Sequence, residues 1–203
     1  MFTGGVAMSG LRDVVIVSGC RTAVGSYGGS LKDISAIELG ALVVKESVKR
    51  AGIQPSDVDE VIIGQVGQIA ENGFVARAIS LKAGLPKETT AYSVNRQCGS
   101  SLQSIADAVM EIQTGFADVV VAGGAENISQ LPYYVKDARW GARMGHKIFE
   151  DGVIDILTWP IDRNHNGVTA ENVANAYHVS REEQDAFAVQ SHQRACAARS
   201  EER

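Results

Sequence analysis

Long apolar runs, basic blocks and paired cysteines are all missing from this chain, and each absence removes a class of function. No stretch approaches the about 18 consecutive apolar residues of a membrane-spanning helix, so no membrane partner is expected. The opening MFTGGVAMSGLRD has neither a basic region nor a continuous apolar one, so it does not read as a secretory signal; residues 1–12 read as a flexible leader. Lys and Arg number 19 against 24 Asp and Glu in 203 residues, for a net charge of −5. The two signs are interspersed, which argues against a nucleic-acid surface. Cysteines number only three, Cys20, Cys98 and Cys196. They are far apart, odd in number and without a CxxC, which predicts reduced thiols in a reducing, cytoplasmic compartment rather than a disulfide framework. No GxGxxG or Walker pattern offers a phosphate cradle. His192 and Cys196 lie four apart on a predicted helix, but they are half of a tetrahedral set at most, so no metal site is expected.

What is present is ordinary globular material, 45% hydrophobic and 21% charged,. Residues 13–18 (DVVIVS), 61–64 (VIIG), 91–95 (AYSVN) and 119–122 (VVVA) read as strands. Between them, Ile34, Ile37, Ala41, Val44, Val48 and Ala51 fall on one helical stripe stopped by Gly52. A second helix is expected from Gly73 to Ala83. A third, beginning at Cys98, would place Leu102, Ile105, Ala106, Val109 and Ile112 on one face. Apolar strands alternating with helices predict an α/β fold with a mostly parallel sheet covered on both faces. From Glu126 the strand-length apolar runs thin out and Pro132, Tyr133, Tyr134 and Trp140 appear. The expected organisation is therefore an α/β domain over 13–125 and an irregular, partly helical lid over 126–203. In the lid, Ser180 and Glu183 predict a capping box, and Thr169 is expected to cap the preceding helix.

Cys98 is the main clue to chemistry, because it stands where a strand passes through Arg96 and Gln97 into a helix. The first N–H groups of a helix lack partners and its dipole is positive there, so a thiolate is favoured. Gly99, Ser100 and Ser101 would let a substrate approach, with the Cys98 and Gly99 region forming the turn and an amide facing an oxyanion. Taken alone, the same pattern also suits a small buried cysteine. Arg96 and Gln97 read as residues that shape the turn. Glu126, at a strand end, and Glu171, in a first helical turn, read as capping or dipole residues rather than an acid/base pair. His146 and His178 belong to no constellation.

The segments VIIGQVGQ, NRQCGSSLQSI, VVVAGGAENIS and GVTAENVANAYHVSREEQDAF, in this order, resemble the thiolase family from about Asp13 to the end of the chain. The resemblance implies a layered α/β/α fold and makes Cys98 the acyl-carrying nucleophile. The implied reaction is reversible Claisen condensation of two acetyl-CoA molecules to acetoacetyl-CoA, with coenzyme A thioesters as substrates and no further cofactor. YYVKDARWGARMG and GVTAENVA point to the short-chain biosynthetic type; a degradative 3-ketoacyl-CoA thiolase and a catalytically inactive, CoA- or protein-binding fragment are the alternatives. The motifs disfavour a ketoacyl synthase. His165-Asn166-Gly167 falls where the family often has His-Met-Gly near the acyl pocket, which makes His165 and Asn166 candidate substrate contacts, with Asn166 departing from the pattern. The activating histidine and second catalytic cysteine belong to the family's carboxy-terminal half, and neither Cys20 nor Cys196 matches that cysteine. The resemblance further implies a homo-oligomer, a tetramer in the intact family, or a complementing carboxy-terminal half, since two similar halves pack helices together and one alone exposes an apolar helix face.

Overall fold

Helix α1 (Ala36–Ala51) is specified at both ends by its own sequence. Ser35 accepts from the Glu38 N–H at 3.1 Å while the Glu38 carboxylate accepts from the Ser35 N–H at 3.2 Å, a reciprocal cap,. Gly52 ends the helix in the left-handed conformation,. Ala41, Val44 and Val48 are buried on the expected stripe. This architecture is that of a computed structural model, which describes residues 10–68 and 70–201. The expected leader over 1–12 falls largely on residues 1–9, outside the described ones.

Strand β1 (Glu60–Gly64) is buried at all five positions and forms the middle of a parallel sheet ordered β2-β1-β3. Its neighbours are β2 (Thr90–Val94) and β3 (Val120–Gly124), with Ile62 opposite both Tyr92 and Ala122. Side chains alternate across a strand. Val61 and Ile63 enter the main apolar cluster with Val44 and Val48 of α1 and Val75, Ala76 and Ile79 of α2 (Val75–Lys82). Gly64 faces the other way, against the first turn of α3 (Ser100–Thr114). Helices thus cover both faces of the sheet, as expected. The second helix is regular only from Val75, after a 3-10 turn over Ala70–Phe74.

Two expectations need correction. Residues 13–18 belong to no strand, and Val15, Ile16 and Val17 are largely exposed. A strand exists only through a ladder partner; this segment is instead pinned by side chains, Ser18 Oγ donating to Ser47 O at 2.8 Å and Arg12 pairing with Asp118 at 2.6 Å. Helix α3 starts at Ser100, with Gly99 as its N-cap residue, rather than at Cys98. Its sheet-facing stripe is Ser100, Ser104 and Ala108, whereas Leu102 is 72% exposed and Ile105 40% exposed.

Beside α3, the Tyr92 hydroxyl donates to Glu111 Oε1 at 3.0 Å. Burial pushes the Glu111 carboxyl above the usual carboxylate range, with the negative charges of Glu60 and Asp107 adding to it and the Tyr92 bond opposing. Burial, then the Glu111 bond, likewise raises the Tyr92 phenol. A raised carboxyl pKa means that folding is penalised while Glu111 is charged and gains as pH falls through the folded pKa. Glu111→Gln keeps an acceptor for Tyr92 and removes the charge, so we expect a Tm higher by on the order of 1–2 °C at pH 7. In thermal melts the difference should shrink toward pH 4.

The chain divides into two compact units, the first closing at Tyr133 and the second opening at Tyr134. The two-residue strands β4 (Tyr133–Tyr134) and β5 (Glu150–Asp151) pair with each other. The second unit carries α4 (Gly152–Ile156), α5 (Asn166–Tyr177) and α6 (Arg181–Glu201). The Tyr134 hydroxyl donates to Asp155 at 2.6 Å, and that bond, with burial, pushes its pKa up to about 12. Ser180 and Glu183 form the expected capping box. His165, not Thr169, caps α5, its Nδ1 accepting from the Gly167 N–H at 3.0 Å. An imidazole nitrogen thereby does what a hydroxyl was expected to do,. No helix among the described residues is long and apolar enough to cross a membrane.

Candidate active site

The ends of β1, β2 and β3 converge on the start of α3, and Cys98 stands in the turn between β2 and that helix. The seating is close because both neighbouring strands end in glycine. A methyl group at Gly64 would lie 2.4 Å from Ser100 C and Ser101 N, and one at Gly124 would lie 1.9 Å from Ser101 Oγ. Ser104 Oγ, fully buried, donates to Gly123 O at 2.9 Å and fastens the helix to β3.

The turn is closed by Ser100. Its hydroxyl donates to Gln97 O at 2.6 Å and accepts from the Arg96 N–H at 2.9 Å. The Gly99 N–H donates to Arg96 O at 3.1 Å, so Gly99 serves the turn and leaves the Cys98 amide as the nearer candidate donor to an oxyanion,. The Arg96 guanidinium is bonded to the Gln103 amide oxygen and so lies along the helix. Cys98 is exposed, with a free thiol. It opens on a cleft of about 270 Å³ lined also by Gln65, Val66, Ser100, Ser101 and Glu126.

Glu126 does more than the capping role expected of it. Its Oε2 accepts from the Val66 N–H at 2.8 Å and the Gly67 N–H at 3.4 Å, tying the loop after β1 to the end of β3. Its Oε1 and both amide atoms of Gln65 are buried without a hydrogen-bond partner among the described residues, so polar capacity is left in the wall of the cleft,. Asn95, to which only its short amide two positions before Gln97 points in the sequence, bonds both the Gln97 N–H and Val66 O,.

His165 is half-buried at the cap of α5 and Asn166 is exposed in its first turn, both in the second unit, whereas Cys98 is in the first. Cys20 is half-buried and its thiol donates to Val43 O of α1 at 3.2 Å, a structural role; Cys196 is exposed on α6. His178 ends α5 in the left-handed conformation, and Glu171 lies exposed within that helix. Among the described residues no three His, Cys, Asp or Glu side chains are grouped to hold a metal ion.

A cysteine at a helix start, seated on two glycine-ended parallel strands, has counterparts of known class. The sequence model described as "Thiolase, N-terminal domain" matches residues 14–203, and the chain belongs to the thiolase family. It is 47% identical over 188 residues to a protein named beta-ketothiolase BktB from Cupriavidus necator, covering 92% of this chain and 48% of that protein. It is 44% identical to an acetyl-CoA acetyltransferase from Syntrophomonas wolfei, covering 89% of this chain and 46% of that one. The crystal structure of the Bacillus anthracis acetyl-CoA acetyltransferase superposes with a TM-score of 0.92 at 42% identity, covering 95% of this chain and 49% of that one. The chain thus spans about half the length of the relatives it matches.

Proposed function

We propose that this chain carries the acyl-accepting half of a thiolase-type acyltransferase, with Cys98 as nucleophile and acetyl-CoA as first substrate. The observation that carries this reading is the exposed Cys98 thiol at the start of α3, inside a region matched to the thiolase amino-terminal domain. The Cys98 thiolate attacks the thioester carbonyl carbon, the Cys98 amide N–H stabilises the oxyanion, and the carbon–sulfur bond to coenzyme A breaks. Coenzyme A leaves as a thiolate and takes up a proton. In the second half-reaction a base removes an α-proton from another acetyl-CoA, and the carbanion attacks the Cys98 thioester, releasing acetoacetyl-CoA and the Cys98 thiolate. That base and the proton donor are assigned by the family resemblance to its carboxy-terminal half, which this chain does not match. Relatives named both acetyltransferase and β-ketothiolase make acetyl the first acyl group to try and longer chains the next.

We infer further that the working assembly is a homo-oligomer or a complex with a complementing half. In support, α3 presents Leu102 and Met110 at 72% and 54% exposure, an apolar face outside the sheet contact,. His165 and Asn166 remain proposed substrate contacts by resemblance. The test is intact-mass spectrometry after incubation with acetyl-CoA, with peptide mapping. An added mass of about 42 Da on the Cys98 peptide supports acyl transfer to this thiol. An unmodified chain would mean that a complementing half is needed for the first step, and an adduct confined to another residue would overturn the assignment.

A further inference from the structure

The turn that presents Cys98 depends on a residue in an unfavourable backbone conformation. Gln97 has φ 51°, one of four positive-φ residues other than glycine among the described residues. In that region Cβ crowds the backbone, and glutamine lacks the short polar side chain with which Asn and Asp relieve the conformation locally. Asn95 supplies the missing bond from two residues upstream. Its Oδ1 accepts from the Gln97 N–H at 3.0 Å, an Asx turn,. Its Nδ2 donates to Val66 O at 3.2 Å, so the amide is fixed from the other side. Val66 is itself held by its N–H on Glu126 Oε2 at 2.8 Å. The ends of all three strands are thereby joined through Asn95, Val66 and Glu126, directly beneath the turn. Ser100 secures the helix side of Gln97 through its carbonyl, and Asn95 secures the strand side through its N–H.

We propose that Asn95 is a positioning residue for Cys98: it holds Gln97 in the left-handed conformation that delivers the thiol to the start of α3. The proposal rests on the reading of Cys98 as the nucleophile. Without the Asn95 amide, Gln97 relaxes toward negative φ, the turn opens, and Cys98 is no longer held in place at the cleft it lines,. A glycine at position 97 adopts φ near 50° as readily as negative φ, so it removes the need for Asn95.

That substitution supplies the test. Alkylation of Cys98 by iodoacetamide is followed by peptide mapping at a single pH in the full chain and in Asn95→Ala, Gln97→Gly and the double variant, with Cys196 as internal reference and a melt of each. Asn95→Ala is expected to slow Cys98 alkylation about tenfold relative to Cys196. The double variant is expected to recover to within about twofold of the parent, and Gln97→Gly alone to match it. An unchanged Cys98 rate in Asn95→Ala, or a slowed rate that Gln97→Gly does not rescue, would overturn the proposal. Rescue also separates positioning from a general loss of stability, which a second substitution to glycine would worsen. Since alkylation needs no acyl-CoA, these ratios stand apart from the acetylation result, which bears on the function itself.

Discussion

A Cys98→Ala chain is expected to take up no acetyl group from acetyl-CoA while melting within about 1 °C of the parent. The two halves of that expectation have separate causes. The chemistry is lost entirely because the sulfur is the atom that forms the thioester, and no neighbouring side chain is a substitute: Ser100 and Ser101 are hydroxyls, of which Ser100 is already bonded in both directions within the turn,. The fold is kept because Cys98 is exposed and precedes both the N-cap Gly99 and the first helical residue, Ser100. Exposed substitutions away from caps and cores typically change stability by about 0.5 kcal/mol or less. Mass spectrometry and a thermal melt on the same preparation read both. Acetylation surviving in Cys98→Ala would move the nucleophile elsewhere, and a fall of many degrees in Tm would mean that the thiol is part of the core.

The parts of this structure that were legible from sequence are those set by local chemistry. The cap of α1 by Ser35 and Glu38 needs only residues three apart, and Gly52 ends the same helix through its own backbone. The apolar run VIIG over residues 61–64 of β1 reads as a buried strand because none of its side chains is polar. What failed depended on distant partners. Residues 13–18 have a strand's composition, yet composition cannot supply the neighbour whose carbonyls and amides make a ladder. In α3 the sequence groups Leu102 and Ile105 on one apolar face. The sheet contact went instead to Ser100, Ser104 and Ala108, because strands ending in Gly64 and Gly124 admit a helix only through its smallest side chains. At the site, Cys98 was visible from its place between strand and helix. Asn95 and Glu126 were not seen as its supports, since their partners Val66 and Gly67 lie in a loop 29 to 60 residues away.

Gly64→Ala tests that seating most severely. The added methyl group would meet Ser100 C and Ser101 N at 2.4 Å and Ser100 O at 2.6 Å. All three are backbone atoms, so no rotamer change relieves the clash; either α3 lifts from the sheet or β1 shifts within it. β1 is the least free to move, being paired on both edges and buried at every position. The helix must therefore yield, and with it the Ser104 bond to β3 and the turn at Cys98. Overpacking of this kind costs about 3 kcal/mol or somewhat more, which in a chain of this size lowers Tm by on the order of 10 °C. Gly73→Ala is the matched control, because a methyl group there has no neighbour within 4 Å. At a temperature where both variants remain folded, Gly64→Ala should also alkylate more slowly at Cys98, since the turn that presents the thiol is held through Ser100 at the displaced helix start. An unchanged Tm in Gly64→Ala would show that α3 does not rest on the end of β1, and the account of how this fold presents its cysteine would fall with it.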